Sequence, residues 1–300
     1  MAEQIQAMEQ SPVHKVRNRR RARTNWWHLF IYIVLIAGAI MAVLPFYWMV
    51  ATSLMTLGET IQKAWWPDVP QWQNYVEAWT EAKFSKYFLN SVLMTATTLT
   101  GVLVTSTLAG YAFARMKFPG RDIIFGILLS TMMIPESVVM IPNFLIVRGD
   151  IFPLPFGPSW LNSLQGLSVP FMANAFSIFL LRQFFIQIPH ELWDAARIDG
   201  AGHIRFLLQI VLPMSKAPLM TVALFSFIGS WNAFLWPLLV TTTDRWRPLM
   251  VGLWTFVTEA GPETHLLMAG AVITIIPILV LYFLTQKQFT EGIATSGLKG

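Results

Sequence analysis

The chain has 300 residues, 55% of them hydrophobic and 12% charged, with a net charge of +5 and a mean hydropathy of +0.53. A soluble domain carries about 25% charged residues, so the composition excludes a soluble globular protein and indicates an integral membrane protein. The absence of cysteine excludes disulfides, thiolate metal sites and thiol catalysis.

Residues 1–25 form a basic tail with Lys15, Arg17, Arg19, Arg20, Arg21 and Arg23 just before the first apolar run. Membrane topology and anionic lipid account for that cluster without nucleic acid. The apolar run itself is far longer than the apolar region of a cleaved signal, about 7–15 residues. A spanning helix needs roughly 20 apolar residues, and six such spans are expected, at about 28–54, 87–114, 123–147, 163–185, 207–241 and 264–286. They make a six-helix membrane domain over 26–290, followed by a short tail at 291–300.

Six spans put both termini on one side, and Lys plus Arg residues number fifteen on that side against six on the other. Both termini, and the loop 189–213, are therefore expected in the cytoplasm. On the opposite side, the loop from Leu57 to Lys86 carries Trp65, Trp66, Trp72 and Trp79 among Glu59, Asp68, Glu77 and Glu81. It suits either an interfacial aromatic belt or a docking surface for an extracytoplasmic partner.

In the third span, Glu136 is the single charge and sits between Pro135 and Pro142, which kink helices and free carbonyls toward a cavity. It is a candidate pore-lining or gating carboxylate, with a residue near the span end that reaches water or pairs across a subunit interface as the alternative. The Gly- and Pro-rich stretch from Val147 to Gln165 reads as an ordered turn. Asn174 and Ser177 in the fourth span, and Trp231 and Asn232 in the fifth, offer amide, hydroxyl and indole groups suited to sugars. The alternative is that they knit helices together. No Lys or Arg interrupts the uncharged runs, which favours a neutral substrate.

Between the fourth and fifth spans lies PHELWDAARIDGAGHIRFLLQIVLP. Pro189 suits a helix start, Glu191 and Asp194 favour the positive helix end, and Ala195 and Ala196 keep one face thin for close approach by a partner. Gly200 and Gly202 permit a sharp exit.

The spacing Asp194-Ala195-Ala196, three residues, Gly200, nine residues, Ile210, one residue, Leu212-Pro213 resembles the EAA loop of bacterial ABC importer permeases, with Asp194 where the family usually has Glu. Further likeness runs from about residue 30 to the end of the chain and is to the maltose-type sugar permeases. It is carried by Pro45-Phe46-Tyr47-Trp48 with Thr52-Ser53-Leu54, by Asn90-Ser91, and by Tyr111-Ala112-Phe113-Ala114-Arg115. Trp231-Asn232-Ala233-Phe234-Leu235-Trp236-Pro237 and Glu291-Gly292-Ile293 continue it. Ala233 and Met55 depart from the acidic residue and the lysine often found there. The pattern resembles the second, shorter permease of a heterodimer.

The resemblance implies an all-α integral membrane protein of the type I ABC importer permease fold, with six transmembrane helices and a cytoplasmic coupling helix. It implies a location in the bacterial inner membrane and a companion permease, an ATP-binding subunit dimer and an extracytoplasmic substrate-binding protein as partners. Glu191, Asp194, Ala195, Ala196, Arg197, Asp199 and Gly200 would couple to the ATPase. ATP and Mg would be bound by the partner subunits; this chain has no Gly-Lys dipeptide and hence no phosphate-cradling Walker A loop.

The expected cargo is a sugar or oligosaccharide, with glycerol 3-phosphate or a glycerophosphodiester as the alternative. An enzyme is disfavoured: His190-Glu191 begins H-E-x-x-H, but the fifth residue is Asp194, and no metal spacing or nucleophile with a base is found. An ion-coupled secondary transporter would show internal repeats and several buried ionisable groups, and the chain shows neither.

Overall fold

In lipid every backbone N–H and C=O must be paired within the segment, so the apolar runs of this chain have to form helices. The computed structural model describes residues 26–151, 153–155, 157–258 and 261–296. The expected basic tail at 1–25 lies outside the described residues.

The chain divides into two units, the first ending at Trp48 and the second beginning at Met49. Helix α1, Trp26–Ser53, contains Pro45 and supplies the whole described part of the first unit. In the second unit, α2 (Leu57–Ile61) and α3 (Gln73–Glu81) occupy the tryptophan-rich loop. Helix α4, Phe84–Arg115, follows. Next come α5 (Arg121–Ser130), drawn out by a 3-10 turn to Met133, and α6 (Glu136–Arg148).

The short α7 (Leu164–Ser168) leads through a 3-10 turn to α8 (Ala175–Gln187), and α9 (His190–Ile198) lies in the expected coupling loop. Helix α10 (His203–Phe206) runs through a π turn at Leu207–Val211 into α11 (Leu212–Met214). The chain continues with α12 (Lys216–Trp231), α13 (Leu235–Val240) and α14 (Leu249–Leu253). A two-residue hairpin pairs β1 (Val257–Thr258) with β2 (Gly261–Pro262) before α15, Thr264–Ser296.

Among the described residues, three helices are each long and apolar enough to cross a membrane: Trp26–Ser53, Phe84–Arg115 and Thr264–Gln286. Three more crossings are bent pairs, Arg121–Met133 with Glu136–Arg148 at 105°, Leu164–Phe171 with Ala175–Gln187 at 46°, and His203–Met214 with Lys216–Trp231 at 83°. With each pair taken as one crossing, the spans number six.

The third span is broken at Pro135, where its prolines imply a kink, and the fourth and fifth are broken where the apolar pattern implies continuous helices. Pro135 holds Ile134 in extended backbone and ends the first half of the third. Asn174 is extended and starts α8 anew by accepting a bond from the Ser177 N–H. Ser215, two residues after Pro213, interrupts the fifth, and this crossing ends at Trp231 instead of running to 241. The tail expected from 291 is helical through Ser296.

Helix α4 organises the second unit. Its buried positions Phe84, Tyr87, Asn90, Ser91, Met94, Thr95, Thr98, Val102, Ser106, Gly110 and Tyr111 recur every three or four residues and so form one face. Small and hydroxyl-bearing residues on that face let neighbouring helices approach closely, as membrane interfaces require. At Gly110 a Cβ would lie 3.2 Å from Leu181 Cβ and 3.3 Å from the Arg182 nitrogen, which seats α4 directly against α8.

Three apolar clusters lie along α4: one of Phe84, Tyr87, Trp231, Leu249, Phe256 and Leu266, one of Met94, Val147, Leu167, Trp236 and Val240, and one of Val102, Tyr111, Phe185, Ala196, Phe206 and Val222.

Candidate functional site

A cavity of about 550 Å³ opens where the three bent crossings meet α4. Helix α4 presents Met94, Thr98 and Val102; α6 presents Glu136, Ser137, Met140 and Asn143; the break before α8 presents Phe171, Asn174, Phe176 and Ser177. Phe225, Ser226, Gly229 and Ser230 of α12, with Ala233 to Pro237 beyond it, complete the wall.

Glu136 is where it is because Pro135 cannot continue the preceding helix. The chain turns by 105°, and Glu136, the first residue of the new helix, lines the space beside the turn. Asn174 and Ser177 form a cap: Asn174 Oδ1 accepts from the Ser177 N–H at 2.9 Å and from its hydroxyl at 3.0 Å. Thr98 shows the reverse: its hydroxyl is buried and has no hydrogen-bond partner within the protein. Aromatic edges add sugar-compatible apolar surface, with Phe176 and Phe225 edge-on at 6.0 Å and Phe171 and Trp236 edge-on at 5.5 Å.

Of the five residues proposed from sequence for the path, Glu136, Asn174 and Ser177 meet at this cavity. Trp231 and Asn232 do not. Trp231 is 2% exposed, donates its indole N–H to the Thr274 carbonyl at 3.0 Å, and stacks on Phe227 at 5.6 Å, so it fastens α12 to α15. Asn232 terminates α12 and lies outside the cavity wall. The sequence reading missed Thr98, Asn143, Ser226 and Ser230. A signal for three of them existed: Glu136, Met140 and Asn143 share one face of a helix, as do Ser226 and Ser230.

The segment expected from the sequence to couple to an ATPase is a second constellation. Helix α9 spans His190–Ile198 with Pro189 as its cap residue and Glu191 in its first turn. Its exit is a Schellman turn: the Ala201 N–H bonds the Ala196 carbonyl at 2.8 Å, the Gly200 N–H bonds the Arg197 carbonyl at 3.0 Å, and Gly200 sits at φ +76°. Glu191, Asp194, Ala195, Arg197, Asp199 and Gly200 are all exposed, and Ile198 is 87% exposed.

Ala195 and Ala196 do not form one thin face as the sequence suggested. Adjacent helical residues point about 100° apart, given 3.6 residues per turn; Ala196 turns inward against the Phe185 and Phe206 cluster while Ala195 faces out.

The tryptophan-rich loop is anchored by Glu59. Its carboxylate accepts the Thr56 N–H at 2.7 Å, the Thr56 hydroxyl at 2.8 Å and the Asp68 N–H at 2.8 Å, and these bonds hold its pKa below the ordinary carboxylate value. Trp65, Trp66 and Trp72 remain more than half exposed around it. Beside α4, the Lys83 ammonium lies 2.8 Å from Asp244, which pushes the lysine up and the aspartate down in pKa.

Comparison with known proteins places this geometry in a family. Residues 101–294 match the family described as binding-protein-dependent transport system inner membrane component. Among relatives, the diacetylchitobiose uptake system permease protein NgcG of Streptomyces coelicolor is 32% identical over 269 residues, covering 88% of this chain and 86% of that one. The sn-glycerol-3-phosphate transport system permease protein UgpE of Yersinia enterocolitica is 32% identical over 280 residues, covering 89% and 96%.

Among solved structures, a chain of a bacterial ABC transporter involved in import of the acidic polysaccharide alginate shares the fold. Its TM-score is 0.75 at 24% identity, over 89% of this chain and 98% of that one. Six membrane crossings, a short amphipathic helix between the fourth and fifth, and a family match over most of the chain agree: this protein belongs to the binding-protein-dependent transport system inner membrane components and has the type I ABC importer permease fold.

Proposed function

We propose that this chain carries a neutral sugar or oligosaccharide across the bacterial inner membrane as one of two companion permeases. An extracytoplasmic binding protein delivers the cargo, and a separate pair of ATPase subunits powers the step. The reading rests on the chemistry of the cavity. Hydroxyls and amides of Thr98, Ser137, Asn143, Asn174, Ser226 and Ser230 stand among aromatic edges, and the single charge is the Glu136 carboxylate. Such a wall supplies donors, acceptors and apolar faces for a pyranose. Among the described residues it presents no guanidinium or ammonium to pair with a phosphate.

The relatives named for diacetylchitobiose and for sn-glycerol-3-phosphate frame the choice, and the lining favours the first chemistry for this chain. Glu136 then accepts sugar hydroxyls. Helix α9 fits the groove of an ATPase subunit through its exposed Glu191, Asp194, Ala195, Arg197, Ile198 and Asp199, with the Gly200 turn setting its angle. The bias of Lys and Arg supports a cytoplasmic position for that helix and for both termini. The loop around Trp65, Trp66 and Trp72 then faces the binding protein.

The test is uptake by the whole importer in proteoliposomes with its own binding protein, using labelled diacetylchitobiose and sn-glycerol 3-phosphate as probes. Neutral-sugar uptake or sugar-stimulated ATP hydrolysis, lowered in Glu136→Gln, is expected. Stimulation by the phosphoester alone would overturn the cargo assignment.

A further inference from the structure

The segment Tyr111 to Arg115 closes α4, and nothing in the path or in the exposed face of α9 uses it. Tyr111 and Arg115 are one turn apart on the same face of α4, and they grip the two ends of the coupling segment. At its beginning, the Arg115 guanidinium donates to the Ile188 carbonyl, just before α9, and approaches His190 Nδ1 at 3.5 Å. At its far end, Tyr111 Oη and His203 Nδ1 share a hydrogen bond of 2.8 Å. The His203 ring in turn stacks on Trp193 of α9, with centroids 4.4 Å apart and planes 16° apart.

The opposite end of α4 is fastened as well. Asn90 donates to the Arg245 and Arg247 carbonyls at 3.0 and 2.9 Å, and the Ser91 hydroxyl accepts the Leu249 N–H at 2.7 Å. Between these fastenings the helix is unbroken, about 38 Å from Asn90 to Arg115 at 1.5 Å per residue, and it carries Met94, Thr98 and Val102 of the cavity wall. The crossings on either side of α9 are both broken, at Met172–Asn174 and at Ser215. A displacement of α9 passed along its own chain would be absorbed at those breaks, whereas one passed to α4 would reach the cavity and the 241–249 loop undiminished.

We propose that α4 is the lever of this subunit, and that Tyr111 and Arg115 are positioning residues which transmit movement of the coupling segment to it through His203 and Ile188. The proposal rests on the coupling role assigned to α9.

The chain has no cysteine, so Thr98→Cys places a unique thiol on the cavity wall of α4. Its rate of reaction with the cationic methanethiosulfonate reagent MTSET is compared in the assembled importer before and after trapping with MgATP and vanadate. Tyr111→Phe, which keeps the ring against Phe206 and loses only the hydroxyl, is expected to cut the nucleotide-dependent change in rate by about five-fold. ATP hydrolysis and co-purification of the ATPase should persist. Arg115→Ala should do the same and Arg115→Lys should recover part of the response, because a merely structural role would lower assembly and hydrolysis together.

A nucleotide response equal to that of the parent in Tyr111→Phe overturns the lever. Gly200→Val in the same background separates the two readings. If it abolishes the response and Tyr111→Phe does not, only the lever falls; if neither variant changes it, the coupling role of α9 falls too.

Discussion

Gly200 shows how one backbone angle fixes the exit of the coupling helix. Its φ of +76° is a conformation that glycine adopts freely, asparagine tolerates and a β-branched residue resists. No atom lies within 4 Å of where a Cβ would stand, so within the chain the constraint is angular and not steric. Gly200→Asn is therefore expected to retain uptake and stimulated ATP hydrolysis, and Gly200→Val to lose most of the coupling between them, at a backbone cost of about 1–2 kcal/mol. Equal loss in both, measured in membrane vesicles, would locate the constraint in the partner's groove instead.

Legibility varied from residue to residue for physical reasons. Glu136 was legible because a lone carboxylate between two prolines is costly in lipid unless it faces a cavity. For Trp231 the choice between path and helix packing was not legible, because which side of α12 its indole meets depends on Thr274, far along the chain and invisible to local pattern. Thr98 was passed over because one threonine in a run of threonines carries no mark until its neighbours fail to bond it.

At the level of elements, prolines announced some breaks and concealed others. The break at Pro135 follows from the residue itself. The breaks at Asn174 and Ser215 fall several residues from Pro170 and two from Pro213; at the first Asn174 caps the free Ser177 N–H, and before the second the helix widens into a π turn over Leu207–Val211. Length and apolarity alone therefore gave crossings of the right order but straight ones.

The tryptophan-rich loop is an element with a pH dependence that can be signed. Because the folded Glu59 carboxylate titrates below its ordinary value, the stabilisation it gives is present above the unfolded value of about 4.5 and is lost as pH falls through the folded one. Protease cleavage within 57–69 should be slow at neutral pH and rise below about pH 4. Glu59→Gln should be cleaved readily even at neutral pH, since a neutral amide cannot replace the acceptor of three bonds. A cleavage rate that ignores both acid and the substitution would show that the loop is held elsewhere.

For the molecule as a whole, the count of crossings and their charge bias were readable because both are sums over many residues, which single errors do not disturb. Sidedness yields a direct test: Ile198→Cys, on the exposed face of α9, should react with a membrane-impermeant maleimide in inside-out vesicles stripped of the ATPase subunits and be silent in intact spheroplasts. Reaction from the outer face would invert the topology and with it the role of the loop.

The cavity residue Thr98 and the transmission residue Tyr111 share one continuous helix but stand about 20 Å apart along it, at 1.5 Å per residue. Replacement of a side chain at the wall leaves the hydrogen bonds at the helix end untouched, and the converse holds too. What is carried and how the carrying is driven can thus diverge independently in descendants of one gene, so that a change of diet requires new wall residues and no new engine.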